Sequence, residues 1–196
     1  MKKKEFRFAL TLVVAGLIGL FASFILQTEK IHLLKNPDAQ LSCNINPIIS
    51  CGSVIQSKQA EAFGFANPII GLVGFAVVIT IGMAMLAGAK FKRWFWLGLE
   101  AGTVFGIVFV HWLFYQAVYS IEALCPYCMV VWAVMIVLFV YVTFYNLTIG
   151  NIAAPKKIDS TIKILDKYKW AIAIFWVMAI AGAILNQFWF YWKTLI

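Results

Sequence analysis

Four cysteines, set in two pairs, are the residues of this chain best suited to chemistry. Cys43 and Cys51 lie in a polar stretch between two apolar runs, with seven residues between them. Cys125 and Cys128 form a C-P-Y-C motif where a later apolar run begins. Thiolates exchange disulfides through mixed-disulfide intermediates, and they can attack an electrophilic ring. A relay built this way needs one mobile pair, presented to a soluble partner, and one fixed pair turned toward an acceptor. The two spacings suit those parts, with the wide loop pair mobile and the C-x-x-C pair fixed. Two dithiols on one side of a membrane would move electrons between proteins and a lipid-soluble acceptor.

The C-P-Y-C pair predicts its own local geometry. Residues three apart on a helix share a face. Pro126 suits the first helical position, where its missing N–H costs nothing. Cys125 then caps the helix and Cys128 sits in the first turn, where unpaired backbone N–H groups and the helix dipole favour thiolate. The same four cysteines admit other readings. Cys43 and Cys51 could form a structural disulfide that only closes a loop. Four sulfurs could hold zinc, although zinc thiolate sites favour two short-spaced pairs and one pair here is wide. A non-enzymatic membrane module with inert thiols is the remaining alternative.

The elements that position these cysteines are set by composition. Of 196 residues, 63% are hydrophobic and 12% charged, more apolar surface than a soluble domain of this size can bury. Five runs reach the length of about 20 residues needed to cross a bilayer. They span 8–26, 68–89, 94–118, 124–147 and 170–190. Helices are expected, since lipid cannot satisfy the open edge of a sheet. The first run has a basic start but no clean small-x-small cleavage site, so it reads as an uncleaved anchor. A single membrane domain over 1–196 follows, with an outer loop at 27–67.

The 16 basic residues outnumber the 8 acidic ones. They cluster at the ends of apolar runs, which points to membrane topology and away from nucleic acid. Lys2, Lys3, Lys4 and Arg7 group with Lys90, Lys92 and Arg93 and with Lys156, Lys157, Lys163, Lys167 and Lys169, making 12 residues on one side. Lys30, Lys35, Lys58 and Lys193 make 4 on the other. This bias predicts a cytoplasmic N-terminus in a multi-pass cell membrane. All four cysteines then fall on the extracytoplasmic, oxidising side, although the count made no use of them.

The chain resembles the vitamin K epoxide reductase family in its five-span bacterial form. The resemblance rests on C-N-I-N-P-I-I-S-C-G-S-V-I-Q-S from Cys43 to Ser57, N-P-I-I-G at Asn67 and C-P-Y-C at Cys125, and covers about residues 8–147. The DsbB-type quinone reductases perform a similar task but carry the two pairs in reverse order. The family likeness implies an all-α integral membrane protein, with four helices around a quinone pocket and a fifth alongside. It implies that Cys43 exchanges with a thioredoxin-fold partner acting in trans. Cys51 would carry electrons inward through a mixed disulfide with Cys125, and Cys128 would face a membrane quinone of menaquinone, ubiquinone or phylloquinone type. The expected activity is thiol oxidation coupled to quinone reduction in support of disulfide formation. Vitamin K quinone or epoxide reduction by the same cysteines is the alternative. No metal is expected.

The likeness assigns three further residues. Asn67 matches an asparagine that bonds a quinone oxygen, though an Asn before Pro68 is also a good helix cap. Ser57 matches a serine or threonine near the active site. Trp132 stands where relatives often carry a tyrosine; its indole N–H donates but cannot accept. Elsewhere, His111 reads as bonded to a neighbouring helix or lying at the interface rather than as a proton relay. Glu100 lies at the wrong depth for catalysis. Trp94, Trp96, Trp189 and Trp192 belong to an aromatic belt. Phe63 and Phe65 read as interfacial anchors more than as a lid.

Overall fold

The computed structural model describes residues 3–153, 155 and 158–194. The expected domain limits at Met1 and Ile196, and the topology residues Lys2, Lys156 and Lys157, lie outside the described residues. The described chain is helical and has no strand beyond two isolated bridges. Five helices are long and apolar enough to cross a membrane. They are α1 (Lys3–Lys35), α3 (Pro68–Leu86), α4 (Arg93–Tyr115, continued by a π-helical turn Gln116–Ile121), α5 (Pro126–Thr148) and α7 (Lys169–Gln187). Short elements fill the connections. These are α2 (Cys51–Ile55), a 3₁₀ turn (Lys58–Glu61), α6 (Asp159–Lys167) and α8 (Trp189–Trp192).

The largest departure from the expected spans is α1. Its 33 residues give a length of about 50 Å, well beyond a hydrocarbon core of about 30 Å. Residues 27–35 therefore continue the helix, and the outer loop starts at Asn36 rather than Gln27. Gln, Glu, Lys and Leu are good helix formers, so nothing in this stretch stops the helix once it leaves the apolar run. The extension has a use in packing. Leu26 and Leu33 lie buried in the same cluster as Cys43, Cys51 and Cys125. The fourth span starts at Pro126, two residues later than expected, because Cys125 is its cap.

Helices α1 and α3 pack closely along a stripe of small residues. A Cβ added to Gly16 would meet Ile79, one added to Gly19 would meet the Phe75 ring, and Ser23 lies against Gly71. Small side chains let helix backbones approach where lipid supplies no hydrophobic driving force. Helix α5 packs against α1, α4 and α7, while α3 and α4 face each other across a cavity. No residue of α7 lines that cavity, so the fifth long helix is peripheral. Its dock includes a hydrogen bond from Trp176 Nε1 to His111 Nε2 at 3.0 Å. Nε2 is therefore the acceptor, and Nδ1 donates to the Ile107 carbonyl at 2.8 Å. His111 links two helices, in agreement with the sequence reading.

The end of the bundle away from the cysteines is tied by polar contacts. Lys4 and Lys169 both pair with Asp166, at 2.8 and 2.9 Å. Burial raises the Asp166 pKa, but the two ammonium hydrogen bonds outweigh it and hold the carboxyl below its ordinary value. Arg93 Nε donates to the Asn151 carbonyl at 2.9 Å. Glu100 accepts from Thr143 Oγ1 at 2.6 Å and from Asn146 Nδ2 at 2.9 Å, and Asn146 Oδ1 accepts from Asn151. Glu100 thus joins α4 to α5. Lys4, Arg93 and Lys169, one from each of the three expected basic segments, make their contacts at this end, and all four cysteines lie at the other.

Candidate redox site

Cys43 and Cys51 are joined by a disulfide, with Cα atoms 5.6 Å apart. The segment between them is hydrogen-bonded within itself and to the start of the C-P-Y-C stretch. Asn46 Oδ1 accepts from the N–H groups of Ile48 and Ile49, at 2.9 and 2.7 Å, forming a side-chain-stabilised turn. Asn44 Oδ1 accepts from the Gly52 N–H at 2.9 Å. The returning limb is then fastened to the residue just before the C-P-Y-C motif. Leu124 N–H donates to the Ile48 carbonyl at 2.7 Å, and Ser50 N–H donates to the Leu124 carbonyl at 2.9 Å. Cys43 is 4% exposed and Cys51 fully buried. The two asparagines of N-I-N-P hold this limb in place, so exchange with a soluble protein requires a local opening here.

Cys125 takes the position its sequence predicts. It caps α5, its sulfur accepts from the Cys128 N–H at 3.4 Å, and Pro126 opens the helix. Cys125 stands one residue ahead of the span, and its thiol is held below the ordinary cysteine value. The hydrogen bond from the Cys128 side chain lowers it most, burial opposes this, and the backbone N–H groups of Cys128 and Tyr127 lower it further. Both are free cysteines, Cys125 buried and Cys128 partly so. Two of the four sulfurs are bonded to each other, which is not the geometry of a four-thiolate zinc site. Among the described residues, no three His, Cys, Asp or Glu side chains gather as a metal site would need.

Cys125 also belongs to a second environment. A cavity of about 430 Å³ runs down the bundle, with α1, α3, α4 and α5 as its walls. Along α4 its lining extends from Phe95 to Leu113, about 27 Å at the helical rise of 1.5 Å per residue. The walls are mostly apolar, and the polar groups concentrate at the cysteine end. There the lining includes Cys125, Cys128, Ser57, Asn67 and Trp132. Residues far apart in the chain, selected from sequence alone, thus converge on one space. Four cysteines serve two environments, with Cys125 and Cys128 common to both: they pack in or against the cluster of the disulfide and they line the cavity.

The side chains modify the expected parts. Asn67 precedes α3, yet its side chain makes no capping bond. Its Nδ2 donates to the Gln59 carbonyl at 2.7 Å, and its Oδ1 accepts from the Ala62 N–H at 3.0 Å. Asn67 therefore folds the 3₁₀ turn over the cavity mouth in place of capping the helix. Ser57 Oγ donates to the Val54 carbonyl at 2.7 Å. Trp132 is buried, edge-on to Phe114 with ring centres 5.4 Å apart. Phe63 is 52% exposed, yet it packs on Phe105 and Phe109, which both line the cavity. Phe65 is exposed beside it.

Over residues 10–143 the chain matches the Vitamin K epoxide reductase family. It belongs to that family. The match begins inside α1 and ends inside α5, so it takes in all four cysteines and every wall of the cavity. Vitamin K epoxide reductases are membrane oxidoreductases, linked in general to quinones and thioredoxin-like partners. Membership, five apolar helices and a cysteine pair at disulfide distance together make this chain a multi-pass membrane oxidoreductase.

Lys30 and Glu61 help to build this site and carry no local sequence signal. Lys30, on the extension of α1, lines the cavity and has only 13% of its side chain exposed. Its ammonium pairs with Glu61 at 2.9 Å and donates to the Ile55 carbonyl at 3.0 Å. It therefore fastens to α1 both the end of α2, which begins at Cys51, and the 3₁₀ turn. Lys30→Met leaves the Ile55 carbonyl and Glu61 without their cation. It should lower the stability of the loop by about 1–3 kcal/mol. Faster alkylation of Cys51 after mild reduction, with Lys30→Arg close to wild type, is the expected reading. Equal rates in Lys30→Met and wild type would show that the clasp holds nothing.

Proposed function

We propose that this protein oxidises the dithiol of an extracytoplasmic thioredoxin-fold protein and passes both electrons, through its two cysteine pairs, to a membrane quinone. The observation that carries the reading is that Cys125 and Cys128 both pack in or against the cluster that holds the loop disulfide and both line the cavity. The reduced partner would exchange with Cys43, becoming oxidised as the Cys43–Cys51 bond becomes two thiols. Cys51, as thiolate, would attack the Cys125–Cys128 disulfide at Cys125. Cys43 would then resolve the Cys51–Cys125 mixed disulfide, restoring the loop disulfide and leaving Cys125 and Cys128 as thiols. That is the state of the two pairs in this structure.

The last transfer turns the Cys125 and Cys128 thiols into a disulfide, and their two electrons and two protons leave with the quinone, as hydroquinone. A quinone supplies the two-electron, two-proton acceptor that this step needs. An apolar cavity about 27 Å long with polar groups at one end suits a ring carrying an isoprenoid tail. Cys128 lies in the first turn of α5, on the cavity wall, and we assign it the ring-facing role. Asn67, with one Nδ2 hydrogen engaged by the Gln59 carbonyl, would offer the other to a ring oxygen. Trp132 walls the ring's place, and Ser57 holds the loop that covers it. The 12-to-4 distribution of basic residues supports a cytoplasmic N-terminus with the cysteines outside.

The assay is made in sealed proteoliposomes of defined orientation, loaded with ubiquinone, menaquinone or phylloquinone. A reduced thioredoxin-fold protein added on the cysteine side should yield one hydroquinone per disulfide formed. Addition on the opposite side should yield none. Absence of reduction with every quinone, from either side, would leave the loop disulfide with a structural role only.

A further inference from the structure

Gln116 is a polar residue within the apolar run read as the third span, and no feature of the cysteine chemistry accounts for it. It opens the π-helical turn at the end of α4, where the backbone widens, and it lines the cavity. Phe114, two residues earlier, meets Trp132 edge-on. This contact brings the end of α4 to the level of the first turns of α5, which carry Cys128 and Trp132.

Gln59 links two other residues at this level. Its Nε2 donates to Gln116 Oε1 at 3.4 Å, and its backbone carbonyl accepts from Asn67 Nδ2 at 2.7 Å. All three residues line the cavity. A primary amide carries two N–H donors. One of those on Asn67 is engaged by Gln59. Gln116 uses its Oε1 to accept from Gln59, which leaves its NH2 as the part of the amide that can meet a ligand. On a wall that is mostly apolar, this donor favours a ligand that brings an acceptor. A quinone presents two carbonyl acceptors at opposite ends of one ring, and a single asparagine serves only one of them. The indole of Trp132 is buried against Phe114.

We propose that Gln116 is a substrate-binding residue whose amide donates a hydrogen bond to one carbonyl oxygen of the ring, Asn67 serving the other. The proposal rests on the quinone reading above and adds to it the second polar contact. It also gives the π-helical turn a purpose, since π-helical turns tend to mark functional positions in helices.

The test reads the ring itself. Purified protein is loaded with ubiquinone labelled with 13C at one carbonyl or the other, and infrared difference spectra are recorded. In wild type both carbonyl stretches should lie below those of free ubiquinone. Gln116→Leu should return one of them to the free value, and Asn67→Leu the other. Gln116→Leu should also weaken ubiquinone binding on the order of tenfold. Gln116→Met, which keeps the length and helix propensity, should match Gln116→Leu, and a wild-type melting profile would show that either variant is folded. Bound ubiquinone with both stretches unchanged in folded Gln116→Leu and Gln116→Met would overturn the proposal. Failure of wild type to bind ubiquinone, menaquinone or phylloquinone would overturn the quinone reading and this inference together.

Discussion

Cys128→Ser is expected to abolish quinone reduction, by at least about a thousandfold, while leaving the protein folded. The size of the effect follows from the chemistry. Cys125 alone cannot form the intramolecular disulfide through which two electrons leave, so the last step has no product. The structural cost is small, because serine is close to cysteine in size and Cys128 is only partly buried. Cys128 offers its backbone N–H, not its side chain, to the helix cap, so the cap survives. Upstream chemistry survives as well, since Cys43 and Cys51 remain for exchange with the partner. Anaerobic absorbance spectroscopy of the quinone measures the rate, and a melting curve in detergent checks the fold. Appreciable quinone reduction by the folded variant would remove Cys128 from the electron path.

The second large effect is on stability, and it comes from Gly82 on α3. A Cβ there would stand 2.9 Å from the Ala9 carbonyl oxygen, 2.7 Å from Val13 Cγ2 and 3.1 Å from Leu12 Cβ. A side chain can rotate away, but the Ala9 carbonyl belongs to the backbone of α1 and moves only with the helix. Gly82→Val should therefore part α1 from α3 and cost about 3 kcal/mol, the upper end of the usual range for overpacking. The damage should reach the site, because α1 carries Lys30 and Asn67 stands just ahead of α3. A fall of several degrees in the detergent melting midpoint, with weaker quinone binding, is the expected result. Gly182→Ala on the peripheral α7 is the control, since a Cβ there meets nothing within 4 Å. An unchanged midpoint for Gly82→Val would mean that this close approach does not hold the helices together.

The parts of the site legible in the sequence are those written within one helix turn or one apolar run. Cys125, Pro126 and Cys128 specify a cap, a first position and a first-turn thiol, because helix termini impose those preferences locally. Apolar length locates the five spans, with most ends shifted by a few residues and α1 running nine residues past its expected end at 26. The likeness of the loop and C-P-Y-C stretches to a known family brought Asn67, Ser57 and Trp132 to the same place as the cysteines, and they do line one cavity. Contacts between distant residues were not legible. Lys30 meets Glu61 and Gln59 meets Gln116 only after the loop folds back across α1 and α4. The hydrogen bonds of the Cys43–Cys51 segment were not legible for a local reason. Asn44 and Asn46 read as generic loop polarity, but each ties down backbone N–H groups. Asn67 shows the reverse case, in which a residue suited to capping is taken by a tertiary contact.

In the proposed relay, electron transfer between the two pairs turns on one bond, a mixed disulfide from Cys51 to Cys125. It can be isolated in the Cys43→Ser/Cys128→Ser protein, where each pair keeps one sulfur. After mild oxidation, non-reducing peptide mass spectrometry should find the Cys51 and Cys125 peptides joined within a single chain. If both thiols instead remain free to alkylation, or join only between molecules, electrons do not pass by this route.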